Sequence, residues 1–469
     1  MVARVIGGLR RSRPYCYPTS ALSRYGGQAG NTVILDGVEH GVCGRYDSPH
    51  MARVDQAAPL YRGRLRRGLA FLLPACVIAL VALGTTGVES QTQAGPRIVV
   101  VGDIHGAGTN LSQILQAAGL IDAQRKWSGG AARLVQTGDI LDRGPEVREA
   151  IELLMRLEGE ARRAGGRVDV LFGNHEGMTV MRDYRDVLAG FGNFADARSE
   201  ERQRKAFETH TAIAKRAGAT LDREAWLKAH PRGSIEYADA FGPSGKYGRW
   251  MRARKPVLQI DDTIFMHAGL NPERTITIDE INRQVEQEVR SFDELVAALE
   301  QARVAAPFFT LQEIVNAAQV EIGKIAVAQK TNEPLPDYLT QEFVKRLQFL
   351  MNIDKLALVE ADGPLWYRGL ATLPDDQQPA VEGMLKRYSA RRIVIGHTPQ
   401  LPEGRIRSRF GGLVVLIDTG MLSTYFKGGR PSALELQDGR MTAIYTSGRE
   451  PIASGTASLG PVWAATNAH

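Results

Sequence analysis

Short apolar runs alternate with helix-like patterns along the chain from Arg97 onward. Six of these runs are rich in Val, Ile or Leu and end in a glycine or a polar residue, which is typical of buried strands that lead into functional loops. They cover residues 97–102, 133–138, 168–173, 263–269, 391–397 and 413–420. Between the second and third runs, the apolar residues of Val147–Arg163 recur at near-helical spacing. This alternation predicts an α/β layered fold with a ligand site at the carboxyl ends of its strands.

Two long segments, residues 178–256 and 277–358, interrupt the strands and have helical patterns. In the first segment we expect a helix over Ser199–Ala217. In the second segment, Thr277 and Thr310 each precede a glutamate by three residues, which is the capping-box signature of a helix start. A Pro-containing break at 332–337 separates these helices from a further one predicted over Gln341–Leu358. We interpret both segments as insertions that form a helical cap, although a purely structural brace fits the pattern equally well.

The charge distribution divides the 469-residue chain into a basic leader and a neutral remainder. Residues 1–90 contain 11 Lys and Arg but 5 Asp and Glu, so they carry the whole net charge of +6. The remainder has no basic stripe, and we therefore expect no nucleic-acid partner. All three cysteines also lie in the leader, which excludes a thiol nucleophile, a disulfide or a Cys-rich zinc site built from residues 91–469. With 43% hydrophobic and 23% charged residues, the chain has the composition of a globular protein.

The leader, residues 1–95, has the features of an export signal. Several arginines precede the uncharged apolar stretch 68–83, and small residues follow it. The stretch is short for a membrane span, so we expect a cleaved signal peptide and a periplasmic or secreted protein, with an uncleaved anchor at 68–83 as the alternative. Any membrane contact would be made through this leader alone. We also hypothesise that translation starts at Met51. The predicted catalytic domain covers 96–450, and 451–469 form a C-terminal tail.

Polar clusters at the ends of the predicted strands supply candidate chemistry. Asp103 and His105 are two residues apart, so their side chains share one face of extended backbone. Asp139 offers a carboxylate that can bridge two ions. Further oxygen and nitrogen donors come from Asn174, His267 and His397. Two Asp, one Asn and three His suit a pair of divalent ions such as manganese, iron or zinc, and such a pair can clamp the attacking and leaving oxygens of an in-line displacement.

The ordered motifs GDIHG, GDILDRG, GNHE, HAG and GH resemble those of the phosphoprotein phosphatases, a group of calcineurin-like metallophosphoesterases. The resemblance covers residues 97–450, and the GPLWYRG and HAGL stretches are similar to the bacterial Shewanella-like protein phosphatases. It implies a β-sandwich core of two mixed sheets flanked by helices. It also implies one metal ion on Asp103, His105 and Asp139, and a second on Asp139, Asn174, His267 and His397. By the same resemblance, His175 is the general acid, Asp142 orients it, and Arg143 and Arg368 bind phosphate.

The resemblance and the donor set predict hydrolysis of a phosphomonoester by direct attack of a metal-bridged hydroxide. The substrate would be a phosphorylated protein, with phosphotyrosine or phosphoserine/threonine, or a small phosphoester. Substrate choice stays open because Phe172 replaces the arginine that usually precedes GNHE, and because Met421–Tyr425 stands where the usual SAPNYC loop is expected. The alternatives are a dinucleoside tetraphosphate hydrolase and a catalytically inactive, metal-stabilised binding protein.

Overall fold

The computed structural model describes residues 97–453, which fold into two β-sheets flanked by helices. The strands are β1 Ile98–Val101, β2 Arg133–Gln136, β3 Arg167–Val170, β4 Val257–Ile260, β5 Thr263–Met266, β6 Arg392–Ile395, β7 Arg407–Arg409, β8 Val414–Leu416, β9 Ser432–Gln437, β10 Arg440–Tyr445 and β11 Gly448–Ile452. The helices are α1 Gly108–Ala117, α2 Val147–Arg163, α3 Asn174–Val180, α4 Ser199–Arg216, α5 Arg223–Ala229, α6 Ser234–Phe241, α7 Lys246–Arg252, α8 Ile278–Gln301, α9 Leu311–Thr331, α10 Gln341–Met351, α11 Gly369–Thr372 and α12 Gln378–Arg387. Short 3₁₀ turns lie at Leu188–Phe194, Ile353–Lys355, Asp375–Gln377 and Phe410–Gly412.

Both sheets are mixed. The first has six strands in the order β11-β10-β9-β1-β2-β3, and the second has five in the order β4-β5-β6-β8-β7. β1, β2 and β3 are parallel to one another, as are β5, β6 and β8. The strand predictions for β1, β2, β3, β5, β6 and β8 are therefore confirmed, and so is the α/β fold with two mixed sheets.

The inner faces of the two sheets bury a shared apolar core. Val100 and Val135 of the first sheet lie in one cluster with Phe265, Val394 and Val415 of the second. A second cluster joins the outer face of the first sheet to its helices, and it continues into helices α8, α9 and α10. Because both layers are closed by apolar packing, the parallel strands hold their carboxyl ends in fixed positions at one edge.

The helical predictions hold for most of residues 178–256 and 277–358. α2 spans Val147–Arg163 as predicted, and α4 ends one residue before the expected boundary. Both capping boxes are formed, at Thr277 with Glu280 and at Thr310 with Glu313. The helix predicted over 341–358 was too long, because α10 ends at Met351 and a 3₁₀ turn follows.

The leader, with its apolar stretch 68–83, lies outside the described residues, as does the chain after residue 453. Among residues 97–453, no helix has the length and apolar character required to cross a bilayer.

Candidate metal centre

Loops after five strands bring the polar clusters together between the two sheets. β1, β2 and β3 lead to Asp103, Asp139 and Asn174, whereas β5 and β6 of the other sheet lead to His267 and His397. Each of these residues is at most 4% exposed, and so is His105. The structure thus places all six residues that the sequence analysis predicted as metal ligands in one buried cluster.

A close approach of two loops makes this convergence feasible. Gly138 has a φ angle of 93°, and a Cβ atom added to it would lie 2.5 Å from the amide nitrogen of Gly173. Only glycine combines that backbone conformation with such close contact. The glycine therefore allows the loop after β2, which carries Asp139, to lie against the loop after β3, which carries Asn174.

Asp139 lies between two groups of ligand atoms. On one side, His105 Nε2 is 3.7 Å from Asp139 Oδ2 and 3.8 Å from Asp103 Oδ2. On the other side, His267 Nε2 is 3.3 Å from Asp139 Oδ2, 2.7 Å from Asn174 Oδ1 and 2.9 Å from His397 Nδ1. Two sets of donor atoms that lie within 4.8 Å of one another share Asp139: one comprises His105, Asp139 and His175, and the other comprises Asp139, His267 and His397.

The three histidines of these groups each turn a lone pair toward the centre. His105 Nδ1 donates to the carbonyl oxygen of Leu141 at 3.0 Å, and His267 Nδ1 donates to that of Thr137 at 3.2 Å. In His397 the roles of the ring nitrogens are exchanged, because Nε2 donates to the carbonyl oxygen of Trp366 at 3.1 Å. A carbonyl oxygen only accepts, so in the neutral form of each ring the opposite nitrogen is left without a proton, as in metal-binding histidines.

The electrostatics of the cluster favour a positive ion. Burial disfavours a charged His267, but the carboxylates of Asp139 and Asp103 raise its pKa to about 9. Burial likewise opposes ionisation of Asp139, yet His267 and His175 hold its pKa well below the usual range. Lone pairs of two nitrogens, an amide oxygen and a carboxylate converge on one point. The residues present therefore fit divalent cations of borderline character.

His175 differs from the other three histidines in its supporting group. Its Nδ1 donates to the carboxylate Oδ2 of Asp142 at 2.6 Å, whereas its Nε2 faces the cluster, 3.8 Å from Asp139 Oδ2. Burial lowers the pKa of this imidazole, but the charges of Asp139 and Asp142 outweigh that effect and raise it. A histidine supported by a carboxylate can hold a proton at Nε2, which a carbonyl-supported ligand is arranged not to do.

Two arginines flank the cluster. Arg143 donates from Nη1 to His105 Nε2 at 2.6 Å, its Nη2 lies 3.1 Å from His175 Nε2, and its guanidinium lies 5.1 Å from the ring centre of Tyr425. Arg368 donates from Nη1 to the carbonyl oxygen of His397 at 2.6 Å. Both predicted phosphate-binding residues thus border the cluster, one beside His105 and the other beside His397.

Several site residues adopt a backbone conformation that is unfavourable for non-glycine residues. The φ angle is 48° at His105, 58° at Asp139, 70° at Asp142, 65° at Arg143 and 65° at His397. Such a conformation costs on the order of 1–3 kcal/mol per residue and persists only where the surroundings enforce it. Its concentration here agrees with a functional centre.

The sequence analysis did not assign roles to three further carboxylates of the site. Glu176, buried in the GNHE motif, accepts hydrogen bonds from the amides of Asp139, Ile140 and Gly173 and so fixes the loop after β2. Asp418 lies buried after β8, where burial and the charge of Asp139 raise its pKa to about 6. Asp186 approaches both Arg143, at 3.7 Å, and His175, at 3.9 Å. Two sequence features could have identified these carboxylates. Glu176 belongs to the GNHE motif, and Asp418 lies at the end of a predicted strand.

Comparisons with known proteins bear on this site. Residues 96–309 match the family model described as calcineurin-like phosphoesterase. An uncharacterized protein of Schizosaccharomyces pombe is 28% identical over 345 residues, which are 72% of this chain and 77% of that protein. Shewanella-like protein phosphatase 2 of Arabidopsis thaliana is 29% identical over 44% of this chain and 54% of its own length. Shewanella-like protein phosphatase 1 of Plasmodium berghei is 23% identical over 74% of each chain.

Among solved structures, the cold-active protein-tyrosine phosphatase of a psychrophilic Shewanella species is 23% identical, with a TM-score of 0.49 over 76% of this chain and 80% of that one.

The family match, the phosphatase relatives and the buried donor cluster define the chain as a metal-dependent phosphoesterase. Within this class, it contains a calcineurin-like metallophosphoesterase domain and is homologous to the Shewanella-like protein phosphatases.

Proposed function

We propose that the protein is a phosphomonoester hydrolase that uses two divalent metal ions and acts on phosphotyrosine or phosphoserine/threonine in proteins. The observation that carries this proposal is the contrast among the four clustered histidines. Three are hydrogen-bonded to backbone carbonyls and turn a lone pair inward, whereas His175 is bonded to the carboxylate of Asp142. This arrangement separates ligand histidines from one proton-carrying histidine.

In the proposed enzyme, Asp103, His105 and Asp139 would hold one ion, and Asp139, Asn174, His267 and His397 would hold the other. When bound, the two ions would supply Lewis acidity toward phosphate oxygens and lower the pKa of a coordinated water. The protein's own contribution is to hold these donors in place. The hydrogen bonds from His105, His267 and His397 to carbonyl oxygens fix the orientation of each ring.

His175 is the proposed general acid. Its Nδ1–H is held by Asp142, so in the imidazolium form the second proton, at Nε2, is the one that the leaving ester oxygen would receive. Asp139 and Asp142 raise the pKa of His175, which favours the protonated form that a general acid requires. The residue is only 2% exposed, and this burial excludes water that would compete for the proton.

Arg143 and Arg368 are the proposed phosphate-binding groups. A guanidinium can donate two parallel hydrogen bonds to phosphate oxygens. Arg143 lies against both His105 and His175, so a phosphate held by it would have its ester oxygen within reach of the proposed acid. The phosphatase names of the relatives from Arabidopsis and Plasmodium support a phosphorylated protein as substrate.

The test is a substrate panel on the purified chain, stripped of metal and reloaded with manganese. Phosphotyrosine peptides, phosphoserine/threonine peptides and diadenosine tetraphosphate would be compared by kcat/KM. Hydrolysis of a phosphopeptide is the expected result, and the ratio between peptides assigns the preference. Cleavage of the dinucleotide alone would make the protein a dinucleoside tetraphosphate hydrolase instead. Metal binding without any turnover would support an inactive binding protein.

For the leader, which lies outside the described residues, we propose export with cleavage after the apolar stretch 68–83. The basic residues before it and the small residues after it support this proposal. N-terminal sequencing of the mature chain, together with fractionation of expressing cells, tests it. If the chain recovered from the membrane fraction begins at Met51 or at an earlier residue, this would support an uncleaved anchor.

A further inference from the structure

A cleft opens where both sheets end, between the edge strands β3 and β4. It has a volume of about 610 Å³. Its walls include β3 with the residues around it, the C-terminal half of α2, and the segment that leads into β4. None of the proposed metal ligands or phosphate-binding residues lines it. The cleft is therefore separate from the metal centre, and a role for it is independent of the proposed function.

One wall of the cleft is a free strand edge. In the described part of the chain, β3 pairs with β2 alone. The amides of Arg167 and Leu171 donate toward β2, to the carbonyl oxygens of Ala132 and Gln136. Peptide groups alternate along a strand, so those of Val168 and Val170 face the cleft. The amide of Phe172, which continues the same alternation, donates across to the carbonyl oxygen of Lys255 and closes one end.

The cleft carries surplus positive charge. Its two acidic residues are already paired, because Glu158 accepts from Arg254 at 2.5 Å and Asp169 accepts from Arg133 and Arg167 at 2.6 and 2.8 Å. The remaining cations, Arg162 and Lys255, are exposed. Neither has an ion-pair or hydrogen-bond partner for its side chain among residues 97–453. Two unpaired cations thus border a free strand edge.

We propose that this cleft is a docking site for an acidic, extended segment of a partner protein, which adds to β3 as a further strand. The free peptide groups of Val168 and Val170 would provide main-chain hydrogen bonds, and Arg162 and Lys255 would pair with acidic side chains of the segment. Four residues of β3 offer a length of about 13 Å, enough for a short linear motif. The negative charge requirement gives the site its selectivity.

The test measures binding of two fluorescein-labelled peptides to the full chain by fluorescence anisotropy. One peptide alternates glutamate with valine, and the other alternates lysine with valine. We expect saturable binding of the acidic peptide, weakened by salt, and no binding of the basic one. The double variant Arg162→Glu/Lys255→Glu should bind the acidic peptide about tenfold more weakly or worse. Arg163→Glu, which changes the neighbouring exposed residue of α2 outside the cleft, is the matched control and should bind as the parent does.

A second measurement tests strand addition itself. Hydrogen exchange of the segment that contains β3 should slow when the acidic peptide is bound, because the amides of Val168 and Val170 become hydrogen-bonded. The milder variant Arg162→Met/Lys255→Met, checked by its thermal melt, replaces the charge reversal if that variant does not fold. Equal binding of both peptides, unchanged affinity in the double variants, or no saturable binding would overturn the proposal. Binding without protection of β3 would overturn strand addition.

Discussion

The Nδ1 nitrogen of His175 lies 2.6 Å from the Oδ2 oxygen of Asp142, and both side chains are buried. The Oδ1 oxygen of the same carboxylate is buried and has no hydrogen-bond partner among the described residues. Burial raises the pKa of Asp142, although the hydrogen bond from His175 opposes this rise. Among the described residues, the imidazole of His175 is therefore the single hydrogen-bond partner of the buried Asp142 carboxylate.

This pair predicts the effect of removing the proton donor. His175→Asn should lower kcat by about 10²–10⁴, the usual contribution of a general acid, while the metal content stays at the parent value. Asp142→Asn should lower kcat as well, since an amide supports the imidazolium less. Steady-state kinetics and metal analysis of the same preparations check both. Full activity of His175→Asn, or loss of metal from it, would show that His175 is not the acid.

The inward lone pairs predict a different result for a ligand position. His267→Ala should reduce the bound metal by about one ion per chain, because it removes the nitrogen that lies closest to both Asn174 and His397. Metal content after dialysis is the measurement. His210→Gln, which alters a buried histidine of α4, is the matched control, and this variant should keep the metal content of the parent.

Arg368 should act on substrate binding more than on metal loading. Arg368→Lys keeps the charge but loses the planar pair of donors, so we expect a lower kcat/KM by roughly tenfold, with unchanged metal content. Kinetics with a phosphopeptide and with inorganic phosphate as a competing inhibitor would measure it. An unaltered phosphate inhibition constant would contradict a phosphate-binding role.

The two capping boxes allow a matched test of pH-dependent stability. Glu313 accepts from the amide and hydroxyl of Thr310 and lies 3.2 Å from His230 Nε2. Burial raises the pKa of Glu313, but His230 and the Thr310 amide outweigh this effect, so the pKa lies below the usual range. A depressed pKa means that the ionised carboxylate stabilises the fold above the unfolded value and that this stabilisation is lost as the pH falls through the folded value.

Glu313→Gln should therefore lower the free energy of unfolding by about 1–2 kcal/mol near neutral pH, and by less at about pH 4. Urea unfolding of the parent and the variant at both pH values measures the difference. Glu280→Gln removes the same group from the exposed capping box of α8 and should have a smaller effect at both pH values. An effect of Glu313→Gln that grows toward acid pH would contradict a depressed pKa for this carboxylate.

The sequence predicted the parts of the fold that local patterns encode. Short runs rich in Val, Ile or Leu marked β1, β2, β3, β5, β6 and β8, because parallel strands are largely buried. β9 and β10 were not predicted, although most of their residues are buried, because polar residues such as Glu435 and Thr442 interrupt their apolar pattern. The end of α10 at Met351 was also missed, because no proline or glycine marks it.

For the site, residue spacing and position at strand ends were enough to predict the six clustered donors. Contacts between residues that are distant in the sequence could not be predicted in this way. Glu176 binds amides 36 and 37 residues earlier, and no local pattern encodes that contact. The approach of Asp186 to Arg143 depends likewise on how the loop after α3 folds back. The resemblance to a known family, and not spacing, supplied Arg368 as a candidate.

The six clustered donors come from both layers of the sandwich: Asp103, His105, Asp139 and Asn174 follow strands of one sheet, and His267 and His397 follow strands of the other. A metal ion bound by ligands of both groups would cross-link the two sheets. Metal binding and the packing of the two sheets would then be thermodynamically coupled. Metal binding would stabilise the folded state, and the stabilisation would increase with the affinity for the metal. A cavity made in the shared core, for example by Phe265→Ala, should therefore weaken metal binding without touching a ligand.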